Sequence, residues 1–168
     1  VALAKRRQIG DAEQWPATAA THSVKGAVVS DVFEKASVTS DLAQRLIAAA
    51  EVKAGEIGVP MVIAVCDESG VLKAFSRMDG AALLSVQIAQ DKAYTAAGFG
   101  MPSDGWHDFI KDDPPLAAGA VGGIERLVIF GGGFPIAVGE RVVGAIGVSG
   151  GHYTQDMEVA QAGLAVLG

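Results

Sequence analysis

The chain has 168 residues, half of them hydrophobic, with 19% charged, 22 glycines and only 6% aromatics. Such a length and apolar content fit one domain with its own core and exclude both a disordered chain and two ordinary domains. The formal net charge of −6, from 13 basic and 19 acidic residues, argues against nucleic acid as a partner, because nucleic-acid binders carry a basic stripe.

Residues 1–37 show no sustained period and read as an N-terminal arm, with Val24 to Val29 and Val32-Phe33 as docking points and Lys5-Arg6-Arg7 as a solvated cluster. The folded domain is expected over 38–168. Thr39-Ser40-Asp41 offers N-cap chemistry for a helix to Glu56 that buries Ala43, Leu46, Ile47, Ala50, Ala54 and Ile57. Met61 to Cys66 is a continuous apolar run of strand length, which predicts a strand covered on both faces. Asp67-Glu68-Ser69-Gly70 is a hairpin turn, and Val71 to Arg77 alternates as a half-exposed antiparallel strand.

Ala81 to Ala97 reads as a central helix, since apolar residues nearly encircle it. Phe99 to Pro115, rich in Asp and Pro, reads as a loop holding one short helix near Ser103 to Lys111. Strands are expected at Leu127 to Phe130, Phe134 to Val138 and Arg141 to Val148. A last helix, capped by Thr154, would run from Gln155 to Leu167. Hairpin-sized connections imply an α+β single domain with an antiparallel sheet and helices packed on it.

Several constellations could carry chemistry. Leu84, Ile88 and Lys92 are spaced by four, so Lys92 continues an apolar stripe; it either snorkels to the surface or lies half buried. Arg77 and Asp79 could pair with it, and Arg77 can hold a carboxylate bidentately. Gly131, Gly132 and Gly133 leave backbone N–H groups open to an anion or a ring plane, or else form a tight strand connection; no Lys-Ser/Thr follows to make a phosphate loop. Gly144 to Gly151 lacks dinucleotide spacing and reads as thin glycines admitting a helix or a second subunit. Ser149 has no nucleophile-elbow context.

Cys66 stands alone, which excludes an internal disulfide, and reads as a small buried hydrophobe. His22, His107 and His152 are scattered without metal-ligand spacing, yet one imidazole suffices for haem iron; His152 and then His107 are best placed. No apolar run reaches the ~18 residues of a membrane span. The expected compartment is the cytoplasm, with secretion left open by a first residue other than Met.

Taken together, Asp67-Glu68-Ser69-Gly70, Arg77-Met78-Asp79-Gly80-Ala81, Lys92-Ala93-Tyr94-Thr95-Ala96, Gly131 to Ile136, Gly144 to Gly150 and Gln155-Asp156 resemble the GlcG/HbpS-like family, over roughly residues 38–168. Pro102-Ser103 stands where the family pattern has Pro-Thr, which keeps the hydroxyl. The resemblance implies a PAS- or profilin-like fold with a five-stranded antiparallel sheet, assembled as a homo-oligomer from dimer to octamer. It implies haem binding in some members and association with catabolic genes in others.

Two functions follow as expectations. One is a homo-oligomeric small-molecule-binding protein that holds haem or a related planar carboxylated ligand. Arg77, Lys92, Ser149, Asp156 and Gly131 to Gly133 would bind that ligand, and His152 or His107 would meet the iron. The other is a cofactor-independent catabolic enzyme acting on a small organic acid. There Lys92 would transfer a proton or form an imine, with Asp79 or Asp156 as its partner.

Overall fold

The computed structural model describes residues 33–168. Most of the expected arm, including Val24 to Val29 and Val32, lies outside the described residues. The chain joins the domain where the Val38 N–H donates to the Val143 carbonyl at 2.8 Å.

Helix α1 (Ser40–Glu56) starts where Thr39 caps it, its hydroxyl accepting from the Leu42 N–H at 3.2 Å. Strands β1 (Val62–Asp67) and β2 (Leu72–Arg77) form the expected hairpin, and the Asp67 carboxylate fixes its turn by accepting from the Ser69 and Val71 N–H groups. Helix α2 (Ser85–Phe99) crosses the sheet and is followed by α3 (Gly105–Ile110) and α4 (Pro114–Gly123). Strands β3 (Gly133–Val138) and β4 (Arg141–Ser149) then lead into α5 (Tyr153–Leu164) and a closing 3-10 turn.

The sheet is antiparallel throughout, in the order β2-β1-β4-β3. Period-two alternation in β1 divides the core. Ile63 and Val65 face α1 and α5, together with Leu46, Ile47, Ile146 and Val159. Val62, Ala64 and Cys66 face α2, against Ala89, Ala93 and Ala96. Small residues on this second face let α2 lie very close. At Gly147 of β4, a Cβ would collide with the backbone of Ala89 and Ala93. Gly147 therefore admits a helix of the same chain, whereas a Cβ on Gly144 would meet the Cys66 carbonyl of β1.

Four strands, not five, form the sheet among the described residues. Leu127 to Phe130, expected as a strand, pairs with no neighbour; two buried hydroxyls of other elements take over its backbone. The Thr95 hydroxyl on α2 donates to the Arg126 carbonyl and accepts from the Val128 N–H, both at 3.0 Å. The Ser103 hydroxyl donates to the Phe130 carbonyl at 2.7 Å and accepts from the Gly133 N–H at 3.0 Å. With the Val128 N–H and the Phe130 carbonyl taken by side chains, the segment lacks part of the edge a ladder needs.

Three further expectations are corrected. The expected loop ends at Asp113 rather than Pro115, because Asp113 caps helix α4 there, accepting from the Leu116 N–H at 3.1 Å, and proline sits comfortably in a first helical turn. Helix α2 begins at Ser85 rather than Ala81, after turns closed by Ala81 N–H to Met78 and Ser85 N–H to Ala82. Helix α5 is capped by His152 rather than Thr154, in a box where the Gln155 side chain accepts from the His152 N–H at 3.0 Å.

Two outcomes are expected. Thr95→Val strands the part-buried Arg126 carbonyl and the buried Val128 N–H, and should lower unfolding free energy by about 1–3 kcal/mol in urea denaturation. Burial pushes the Cys66 thiol from 9.0 up to about 11. Because the folded value is the higher one, the stability Cys66 contributes is whole below pH 9 and is lost as the pH rises towards 11. Native Cys66 should accordingly resist iodoacetamide at pH 8 and react readily once urea unfolds the chain, as mass spectrometry would show.

Candidate functional site

Lys92 lies in the third turn of α2 and is completely buried, the bulkiest side chain to be so enclosed among the described residues. Its ammonium donates to Asp156 Oδ2 at 2.6 Å and to the Val148 carbonyl at 2.9 Å, and sits 4.9 Å from the centre of the Phe130 ring. Asp156, on the first turn of α5, is 2% exposed and turns its other oxygen to the Gly151 N–H at 3.0 Å. The carboxylate is thus doubly engaged, near a helix N-terminus that favours negative charge. Burial draws the Lys92 ammonium below the usual lysine value, against the opposing pull of Asp156.

The glycine run closes over this pair. A Cβ on Gly132 would stand 2.7 Å from Lys92 Nζ and 2.8 Å from both Asp156 Cβ and the Val148 carbonyl. A Cβ on Gly133 would strike the Lys92 backbone, and one on Gly131 would strike the Met157 thioether. The open faces of all three glycines are filled by the protein itself. Ser103, absent from the sequence-based site, ties this run to the loop after α2: its N–H reaches the Gly133 carbonyl at 3.0 Å, alongside its two hydroxyl bonds.

The other expected residues lie elsewhere or at the margin. Lys92 pairs with Asp156, not with Arg77 or Asp79. Arg77, exposed at the end of β2, donates to the Ala81 carbonyl at 2.9 Å and braces the turn before α2; Asp79 is exposed in that turn. Ser149 ends β4 beside Val148, buried but outside the lysine's bonding partners. His152 holds Thr154 Oγ1 at 2.9 Å through Nδ1 and leans on the Tyr153 ring with 4.3 Å between centroids. His107 is exposed on α3, its Nδ1 3.8 Å from Asp108.

Outside the glycine run lies a cavity of about 350 Å³, lined by Asp104, His107, Ile129, Phe130, Gly131 and Tyr153. Aromatic and aliphatic walls with one imidazole and two carboxylates, Asp104 and Asp108, make it the place where His107, Gly131 and the Phe130 that covers Lys92 come together. Asp104 brings a buried Oδ1 without a hydrogen-bond partner. Among the described residues, no group of three or more His, Cys, Asp or Glu side chains could hold a metal ion alone.

The lock over Lys92 gives a direct test. Gly132 sits at φ 115°, where an L side chain is strained, so Gly132→Ala should lose about 3 kcal/mol from strain and overpacking together. Gly98→Ala, inside helix α2 with open space around it, should gain up to about 1 kcal/mol. Guanidinium unfolding of the two variants separates a closed lock from ordinary glycine effects.

A family model described as haem degrading protein HbpS-like matches residues 38–165. The chain is similar to an uncharacterized 15.0 kDa protein of the dhaT-dhaS intergenic region of Citrobacter freundii, at 37% identity over 77% of this chain and 91% of that one. It is similar to protein GlcG of Escherichia coli K12, at 35% identity over 68% and 83%. Among solved structures, a complex of PduOC with haem superposes with a TM-score of 0.69 at 28% identity, covering 77% of this chain and 94% of that one. An HbpS double mutant from Streptomyces reticuli does so with a TM-score of 0.75 at 28% identity, covering 91% and 99%. The motifs running from Asp67 to Asp156, the antiparallel α+β architecture and the family match over 38–165 agree, and the chain belongs to the HbpS-like family.

Proposed function

We propose that this protein is a homo-oligomeric haem-binding protein whose ligand enters the cavity beside the glycine run. The observation that carries the reading is an exposed imidazole, His107, set in an open cleft with Phe130, Ile129 and Tyr153 walls, in a chain similar to one solved with haem. One neutral imidazole nitrogen meets the requirement for a single axial ligand, and apolar walls suit a porphyrin face. Haem would supply a redox-active iron and a wide planar surface.

His107 is the axial ligand in this reading, because it lines the cavity. His152 is engaged at Nδ1 in capping α5 and acts through Tyr153, orienting a wall of the cleft. At about 350 Å³ the cleft takes only part of a porphyrin, which leaves the rest of the ring for a second copy to cover. Adjacent leucines support assembly: Leu83 is 75% exposed and Leu84 77%, an apolar pair more readily explained by a subunit contact than by solvent.

The enzymatic alternative receives less support. Proton transfer or imine formation needs a lysine that meets substrate, whereas Lys92 has no exposed surface and its ammonium is engaged by Asp156 and Val148. Asp79 faces solvent and does not touch it.

Haem titration followed at the Soret band tests the proposal. Wild-type protein should saturate with a shifted band, His107→Ala should abolish the shift, and His152→Ala should retain it with weaker affinity. An unshifted band with wild type, or full binding by His107→Ala, would remove the assignment.

A further inference from the structure

Helix α4 has no polar side chain to offer water. From Pro114 to Ile124 the chain carries no charged or hydrogen-bonding side chain, yet Ala120 is the one buried residue of the helix. A helix that is apolar on every side is ordinarily enclosed, whereas a solvated one carries charges on its outer face. Packing within the protomer therefore leaves the composition of α4 unexplained.

The surface around it is apolar as well. Phe99 and Phe109 are each 61% exposed, and both set their rings edge-on to Trp106, with 4.4 and 5.7 Å between centroids. Trp106 shares a buried cluster with Ala120, so the two phenyl rings and α4 rest on the same support. Leu116, Val121 and Ile124 are exposed beside them. These five side chains leave roughly 500 Å² in water, at the upper end for the largest apolar patch of a monomer. The small residues of α4 extend the face towards the ~800 Å² that each partner buries in an ordinary interface.

The relief of this face fits a second copy of itself. Ala118 and Gly122 stand opposite Ala120, given about 3.6 residues per turn, and form the outermost strip of the helix. A Cβ on Gly119 or Gly122 would meet nothing within 4 Å. A flat helix thus adjoins two projecting rings, and a two-fold contact sets the rings of each copy against the flat helix of the other. A lipid surface fits less well, because interfacial helices carry Lys and Arg on a polar face. Here Asp108, Asp112, Asp113 and Glu125 flank the helix on a chain of net charge −6, and Lys111 and Arg126 are already paired with Asp108 and Asp91.

We propose that the α4 face, with Phe99 and Phe109, is a two-fold interface between copies of this chain. The interface rests on the homo-oligomeric part of the functional reading, lies at the other end of α2 from Leu83 and Leu84, and needs no haem.

Sedimentation equilibrium of the full chain without haem, with circular dichroism to report folding, tests this. Wild type should associate reversibly. Ala118→Glu should weaken the affected step at least a hundredfold and Phe109→Ser at least tenfold. Ala48→Glu, the same change on an exposed position of α1, should leave it unaltered. A monomeric wild type would overturn both the interface and the homo-oligomeric reading. An associating wild type matched by folded Ala118→Glu would overturn the interface alone, as would an equal loss in Ala48→Glu. If Ala118→Glu does not fold, wild-type association by Phe109→Ser overturns it instead. Monomeric protein that binds phosphatidylcholine–phosphatidylglycerol vesicles, and loses them in Ala118→Glu, would assign the face to lipid.

Discussion

The buried ion pair between Lys92 and Asp156 is the constraint on which the rest of the fold turns. It joins α2 to the first turn of α5 across the end of β4, and the glycine run before β3 is shaped around it. Removing two charges from water carries a penalty of several kcal/mol per ion, and only close geometry with complete hydrogen bonding offsets it. Here the ammonium has a carboxylate and a carbonyl, and the second carboxylate oxygen has the Gly151 N–H. Such a pair adds little net stability over apolar side chains of the same size, but it penalises any packing that separates the partners. Its effect is to specify where α5 docks.

That role explains the glycines. Close approach of α2 to the sheet requires Gly147 beneath Ala89 and Ala93, and the cover over the pair requires Gly132 and Gly133 beside Lys92. The same closeness seals the lysine from solvent. What remains reachable is the outer surface of that cover, where Phe130 and Gly131 meet His107 and Tyr153. The buried charge thus shapes the wall of a cleft without entering it, and in the proposed reading the cleft's chemistry rests on its aromatic walls and its imidazole.

Much of this was legible from residues alone where periodicity or turn chemistry is strong: α1 with its Thr39 cap, the β1–β2 hairpin, β3 and β4. Lys92 was visible as a charge on an apolar helix, but the spacing of Leu84, Ile88 and Lys92 misassigned its face. Leu84 precedes the helix and is exposed, and Lys92 instead shares a buried face with Ser85, Ala89, Ala93 and Ala96. Asp156 was visible as a candidate partner without a signal to prefer it over Asp79, because the choice depends on where α5 docks. Thr95 and Ser103 were not legible, since their partners are distant backbone groups that no local pattern encodes. Their hydroxyls also turned an apolar run that reads as a strand into an irregular segment. His152 was read for its imidazole chemistry, whereas its position makes it a cap, a role histidine fills less often than Ser, Thr, Asp or Asn.

A double-mutant cycle on the buried pair tests the central claim most directly, with equilibrium unfolding of Lys92→Met, Asp156→Leu and the combined variant. If the pair is a structural lock, each single change strands a buried charge and loses about 3–5 kcal/mol, while the double variant recovers most of that loss. Additive losses, or single variants as stable as the wild type, would contradict a lock at this position.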